Sequence, residues 1–467
     1  MKLTRGTITP ALIIITGSLL VVLYGILFVL TLQFNYSNRQ VGQESALHMA
    51  EAGVNYFRWH LAHDPDDFSG DTGEHEYVDP QGNALGKYDI EVTPPSLGSS
   101  IVTIKSTGWT YQFPNIKRTV TVQYGIPSFA RYSFLTNASS WYGEGITVNG
   151  LVHSNNGIRQ DGTNISLMTS TQQTYVCGDE TGCYSQSYCV NPCRWSSSQR
   201  RCNCPGVWGD GGDEGLWQYP VTPIYFDSIS FDFTDMSDQA EANGLYLPSS
   251  GDQGYHIVFS ANGTFNVYEV LTTNYYSHQI DYHCYRNYER ITRQNLIGTY
   301  TVSSTPIIFA EDHLWVEGTV NGRITVVAAR SPYASNTMNI WIPNSINYVA
   351  LDGNHTLGLI AQNDIYFTRD IPENFVVSAA LMARSGKVIR HNYSDHCGNQ
   401  SSVAIKDSLT INGALLSYNK SYWNHGSPLS SGFISRQVNY DTNLLYAPPP
   451  YFPTSGEYEF ISWREEK

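Results

Sequence analysis

The chain has 467 residues and a formal net charge of −14, with only 15% charged residues against 33 Tyr and 39 Gly. That length accommodates two or three domains, each with a buried core. The acidic balance, with no Lys/Arg run longer than a pair such as Arg200-Arg201, argues against nucleic acid, whose phosphates demand basic patches.

The first element is apolar. No charged side chain lies between Arg5 and Arg39, and Pro10 to Phe34 reads as a membrane span. As a helix it rises roughly 35 Å at about 1.5 Å per residue, enough for a hydrocarbon core of about 30 Å. Lys2 and Arg5 precede the span, so the positive-inside rule puts Met1 in the cytoplasm and the rest outside. A secretory signal peptide would have a shorter apolar region and a small-residue cleavage site, and none follows Leu30. Beyond the span, Leu47, Ala50, Val54, Phe57 and Leu61 form one amphipathic face, and Pro65 ends the helix near His63. Thr9 and Pro10 suit its start, as cap and first helical residue. The prediction is one helix over 7–63, half in the membrane and half packed on a globular unit.

The order of a basic leader, Arg5-Gly6-Thr7, an uncharged helix and then Ala50-Glu51-Ala52-Gly53 resembles type IV pilin-like proteins, in particular the PilX-type minor pilins. The resemblance implies a leader over 1–6 cut by a prepilin peptidase between Gly6 and Thr7. It also implies a helix that packs with other pilin-like subunits. Most pilins carry a Glu just inside the mature helix, where this chain has Thr7-Ile8-Thr9-Pro10-Ala11. That departure points to a minor or tip subunit. A plain signal-anchor helix is the alternative.

Next comes a polar loop, Asp64 to Gly86, whose acids miss the EF-hand spacing. Three alternating runs follow, Lys87–Thr93, Ser100–Ser106 and Ile116–Tyr124, and they predict a small antiparallel sheet beneath the helix. This α+β pilin-like unit covers 64–127 together with the helix.

From 128 to 467 the chain reads as mainly β. Three segments share a β-branched strand, an Asn-Gly corner and a second strand, with corners at Asn149-Gly150, Asn321-Gly322 and Asn412-Gly413. Their recurrence, with apolar runs such as Ile307–Phe309, Leu357–Ala361 and Val376–Ala383, predicts a right-handed parallel β-solenoid with inserts. A β-sandwich is the competing fold. Tyr255–Phe259 and Thr264–Val270, joined by Ala261-Asn262-Gly263, predict a hairpin.

The eight cysteines are Cys177, Cys183, Cys189, Cys193, Cys202, Cys204, Cys284 and Cys397. An even count in a chain expected to lie outside the cell predicts disulfides, and the paired C-x-x-C knuckles of a zinc site are absent. Six of them fall in the largest insert, 169–215, which lacks an apolar core of its own. The acidic Gly-rich stretch Asp210 to Asp213 offers a calcium loop but reads better as a flexible turn. The ending, with Pro448-Pro449-Pro450, resembles that of surface proteins joining a PilX-type N-terminus to a β-helical ectodomain. It predicts a Pro-rich cap over 440–463 on the last solenoid rung.

No G-x-S-x-G, H-E-x-x-H or phosphate-loop spacing occurs, so no catalytic, cofactor or metal residue is assigned. Asp312, Asp352, Asp364 and Asp370 share no register of the kind paired glycosidase carboxylates need. Trp141-Tyr142, Tyr275-Tyr276 and Tyr422-Trp423 offer rings for stacking on sugars, though strand packing also accounts for them. The expected function is a non-enzymatic surface subunit, a minor or tip component of a pilus-like filament with an adhesive ectodomain for an unknown surface or glycan ligand. A membrane-tethered carbohydrate-active β-helix enzyme and a surface-layer component are the alternatives.

Overall fold

The structure is a computed structural model that describes residues 8–96, 98–226, 232–333 and 335–466. The chain divides into two compact units, one built from residues 1–96, 100–126 and 457–467, the other from 97–99 and 127–456.

The first unit is led by a helix over Ile8–His63. Thr9 lies inside this helix, so it is not the cap expected from the sequence; Pro10 sits in the first turn, where its missing N–H costs nothing. Gly6 and Thr7, between which the resemblance implies a cut, lie outside the described residues. The helix changes character along its length. Leu12 to Phe34 stay exposed, while Ala46, Ala50, Val54, Phe57 and Leu61 are buried. Leu47, the other predicted contact, is partly buried against the same core.

That core is the face of a five-stranded antiparallel sheet, in spatial order Gly73–Val78, Ala84–Thr93, Ile101–Thr110, Arg118–Gly125 and Glu459–Glu466. Ile90, Val102, Ile104, Val120 and Val122 alternate inward beneath the helix. Two strands go beyond the sequence reading. Gly73–Val78 falls inside the supposed polar loop, since Glu74 and Glu76 are the outward half of an edge strand. Glu459–Glu466 overlaps the end of the expected cap, 440–463, and instead pairs with Arg118–Gly125, with Glu459 opposite Gly125. The whole second unit is therefore inserted between two neighbouring strands of this sheet.

The second unit is a pile of parallel strands in three ladders. In the first, Val148, Val438, Ile411, Val377 and Ile346 are successive partners. The second runs Val152, Phe134, Leu415, Leu381, Leu359, Val326, Ile308. The third runs Val388, Ile365, Ile340, Leu314, Tyr255. These side chains point inward and merge into one buried core. The Asn-Gly pairs lie where the chain passes from the first ladder to the second. Asn149, Asn439 and Asn412 are stacked partners there, and Asn439 Nδ2 donates to Asn412 Oδ1 at 2.9 Å. Gly150 and Gly322 turn the corner at φ +125° and +119°, a backbone that side chains rarely adopt. Asn412-Gly413 bends within a continuous strand, Ile405–Ser417.

Stacking order is not chain order. Coils from 245 to 439 follow one another, and then Val438 pairs with Val148 and Leu415 with Phe134, so the coils that begin at Tyr132 continue the pile beyond the last ones. The return connection carries a helix, Asp232–Asn243, whose Phe233, Met236 and Ala240 cover the outer face of the second ladder. That outer face (Leu135, Leu416, Met382, Ile360, Val327, Phe309) explains why these strands are apolar on both sides. The Pro-rich segment lies on the same flank, rather than over an end of the pile. Phe452 and Leu444 are buried there, and Arg323 Nη2 donates to Ala447 O at 2.9 Å and Pro448 O at 2.5 Å. Prolines cannot donate to a ladder, but their carbonyls can accept, which suits a strap across a flank.

Candidate functional site

The apolar helix and its seat are the clearest functional feature. An 18-residue window within Pro10–His63 has a mean hydropathy of 2.7 and none of it is buried, so the helix is long and apolar enough to cross a membrane. The Ala50-Glu51-Ala52-Gly53 motif marks where it reaches the sheet. A Cβ on Gly53 would lie 2.8 Å from the Tyr88 ring. One on Gly108 would lie 2.7 Å from Met49 Cβ and nearer still to the backbone of Ala46 and Ala50. Small residues on both sides thus bring helix backbone against strand backbone. Gly108 was legible only as a glycine in an alternating strand, a known mark of close backbone approach. The acids of the following turn close on the helix end, with Asp67 and Asp71 each 3.3 Å from His60.

The cysteines pair as 177–183, 189–202, 193–204 and 284–397. The first three knit the insert, whose small core is little more than those sulfurs with Tyr175 and Trp208. The excursion is shorter than 169–215: Met168–Ser170 and Val207–Trp208 both belong to the pile. Cys284–Cys397 fastens the tip of a long hairpin, Thr264–Ile280 with His283–Thr301, to the flank of the third ladder. The predicted hairpin at Ala261-Asn262-Gly263 is its root, with Gly254–Phe259 antiparallel to Thr264–Ile280.

Beneath that hairpin lies an aromatic tower that sequence reasoning missed. Trp315 stacks on Trp341 at 4.7 Å, Trp341 on Tyr366 at 5.7 Å, Tyr366 on His391 at 5.0 Å, and His391 on His278 at 3.9 Å. Residues far apart in sequence meet here only through ladder register. Glu289 is buried beside the tower and accepts from Tyr393 Oη and the Arg369 N–H, both at 2.7 Å. Burial raises its carboxyl to about 7. Burial lowers His278 to about 4, lowers His391 well below its usual value, and lowers His425 as well.

These shifts predict acid sensitivity. The histidines bind protons in the unfolded chain below about 6.5 but stay neutral in the folded one. Stability is therefore lost as pH falls below the unfolded value. Glu289 works the other way, since its folded pKa is raised and it gains a proton on acidification. Three histidines outweigh one carboxyl, so thermal unfolding of the detergent-solubilised protein should shift to lower temperature between pH 7 and 5. Glu289→Gln should steepen that shift. A melting temperature that rises over this range would contradict the account.

The four acids considered for catalysis are separately engaged. Asp312 pairs with Arg330 at 3.4 Å, Asp364 accepts from Tyr366 Oη at 2.6 Å, Asp370 pairs with Arg369 at 2.9 Å, and Asp352 holds the Asn354 turn. Of the aromatic pairs, Tyr275-Tyr276 lies on the hairpin, whereas Trp141-Tyr142 and Tyr422-Trp423 come together in one cavity.

No protein-family model matches the chain, and no curated protein matches it. Among solved structures it is similar to the competence-associated pilin ComZ from Thermus thermophilus. The two are 13% identical over 91% of this chain and 97% of that one, with a TM-score of 0.28. A score that low does not equate the two folds, so the functional reading rests on the residues above.

Proposed function

We propose that this protein is a pilin-like, non-enzymatic envelope subunit, a minor or tip component of a type IV pilus-like filament. In this reading it displays an inserted parallel β-solenoid outside the cell. The observation that carries the reading is the two-part helix. Its first half is apolar and uncovered, as a segment must be that exchanges lipid for neighbouring helices, while its second half is seated on an antiparallel sheet through Ala46, Ala50 and Gly53. The ladder pairings support the solenoid in preference to a sandwich, because the strands along each ladder run parallel. The separate engagement of Asp312, Asp364 and Asp370 supports a display role over glycan cleavage, which needs two convergent carboxylates. Lys2 and Arg5 ahead of the span support an ectodomain on the outer side.

Mass spectrometry of surface-extracted protein tests this. A mature N-terminus at Thr7 is expected, together with immunogold label on fibres or at their tips. An intact Met1 with label confined to the envelope would reduce the helix to a tether.

A further inference from the structure

The third ladder is interrupted where the two runs of coils meet. Val388–Arg390 ends one run, with Ile389 bridged to Tyr422, whereas Ser140–Tyr142 pairs only within a separate three-stranded sheet. The first and second ladders continue across this seam, through Val438–Val148 and Leu415–Phe134. The missing pairing leaves a cavity of about 250 Å³ opening at the seam. Its walls include Trp141, Tyr142, Tyr422 and Trp423, with Lys420 and Arg436 among them.

Two donors in the walls of this cavity lack acceptors. Trp423 is 6% exposed and its indole N–H has no partner; Arg436 Nε is likewise buried without one. No carboxylate lies within ion-pairing distance of Lys420 or Arg436 among the described residues. The Lys420 ammonium donates to the Glu180 carbonyl and lies 5.8 Å from the centroid of the Trp141 ring; burial lowers it to about 8, against the opposing pull of the Glu180 charge. The nearby Asp161 is already taken by Arg159 at 2.8 Å and by the Trp141 indole at 2.7 Å. Buried donors left unpaired are costly, so a fitting occupant brings acceptors and negative charge. The rings ask for something else: a flat apolar face to lie against them. A pyranose bearing a carboxylate supplies both, through its C–H face and its carboxyl and hydroxyl oxygens. The volume suits one sugar ring, below the range of drug-sized pockets.

We propose that the seam cavity is a binding site for a uronic-acid residue of an acidic polysaccharide, with Trp141 and Tyr422 stacking on the ring and Lys420, Arg436 and the Trp423 indole holding its oxygens. The proposal deepens the display role above by naming a ligand, but binding is read on isolated protein, so it can fail without touching the filament reading, and the reverse.

The test is calorimetric titration of the full chain in detergent with tetragalacturonate, and with a neutral galactose tetramer as the comparison. Binding of the acidic tetramer should be at least tenfold tighter, with quenched tryptophan fluorescence. Arg436→Gln and Lys420→Gln should each weaken it tenfold or more, and Trp423→Phe should weaken it while filling nearly the same space. Unchanged melting temperatures separate these effects from misfolding. Equal affinity for both tetramers would overturn the acidic class. Absence of binding to either, or full retention in Arg436→Gln and Lys420→Gln, would overturn the site.

Discussion

Replacing Gly108 by valine should lift the helix from its sheet and destabilise the first unit by at least about 3 kcal/mol, the upper end of overpacking costs. Most overpacked cores yield because a side-chain tip can move. Here the new atoms would meet the backbone of Ala46 and Ala50, and a helix backbone can retreat only as a whole. The loss would spread to Val54, Phe57 and Leu61, which are buried in the same core between helix and sheet. Hydrogen exchange over residues 46–61 is the direct measurement, with fast exchange expected in G108V. Gly25→Ala, beside which nothing lies within 4 Å, serves as the control and should leave exchange unchanged. Native protection of the helix in G108V would mean that the small-residue motif does not seat it.

A second large effect is expected from the cysteine-rich insert. Its buried residues are chiefly the bonded cysteines, so reduction removes most of what holds it. The three bridges close loops with sequence separations of 6, 13 and 11. At about 2–3 kcal/mol for each loop of this size, their combined loss exceeds what one short three-stranded sheet can retain. Replacing all six cysteines by serine should therefore unfold residues 174–205 and leave the ladders intact, since their core contains no cysteine. Limited trypsin digestion should cut quickly at the exposed Arg194, Arg200 and Arg201, while circular dichroism of the remainder changes little. Equal digestion rates before and after substitution would assign the stability of the insert to its strands. Global unfolding would mean that the insert braces the pile.

The sequence and structure diverge at identifiable places. The helix face Leu47–Leu61 was legible because a period of 3.6 depends only on neighbouring residues. The strand Gly73–Val78 was not, because an edge strand with glutamates outward looks like a polar loop. Residues 459–463 read as part of a cap because local residues carry no information about a partner more than three hundred positions away. The seam cavity combines the two cases. Trp141-Tyr142 and Tyr422-Trp423 were visible as rings, but Lys420 and Arg436 gave no local sign of facing them.

The amino-acid sequence by itself determined the membrane-length helix, its amphipathic second half, the Asn-Gly corners and the doubly apolar strands. Each of these follows from charge, periodicity or backbone preference within a short window. Only the tertiary structure decided that the second unit is an insertion, that its first coils stack upon its last, which cysteines pair, and where a cavity opens. Those outcomes depend on strand register between distant segments. Many registers satisfy the same local pattern, and only close packing of the whole pile selects one of them.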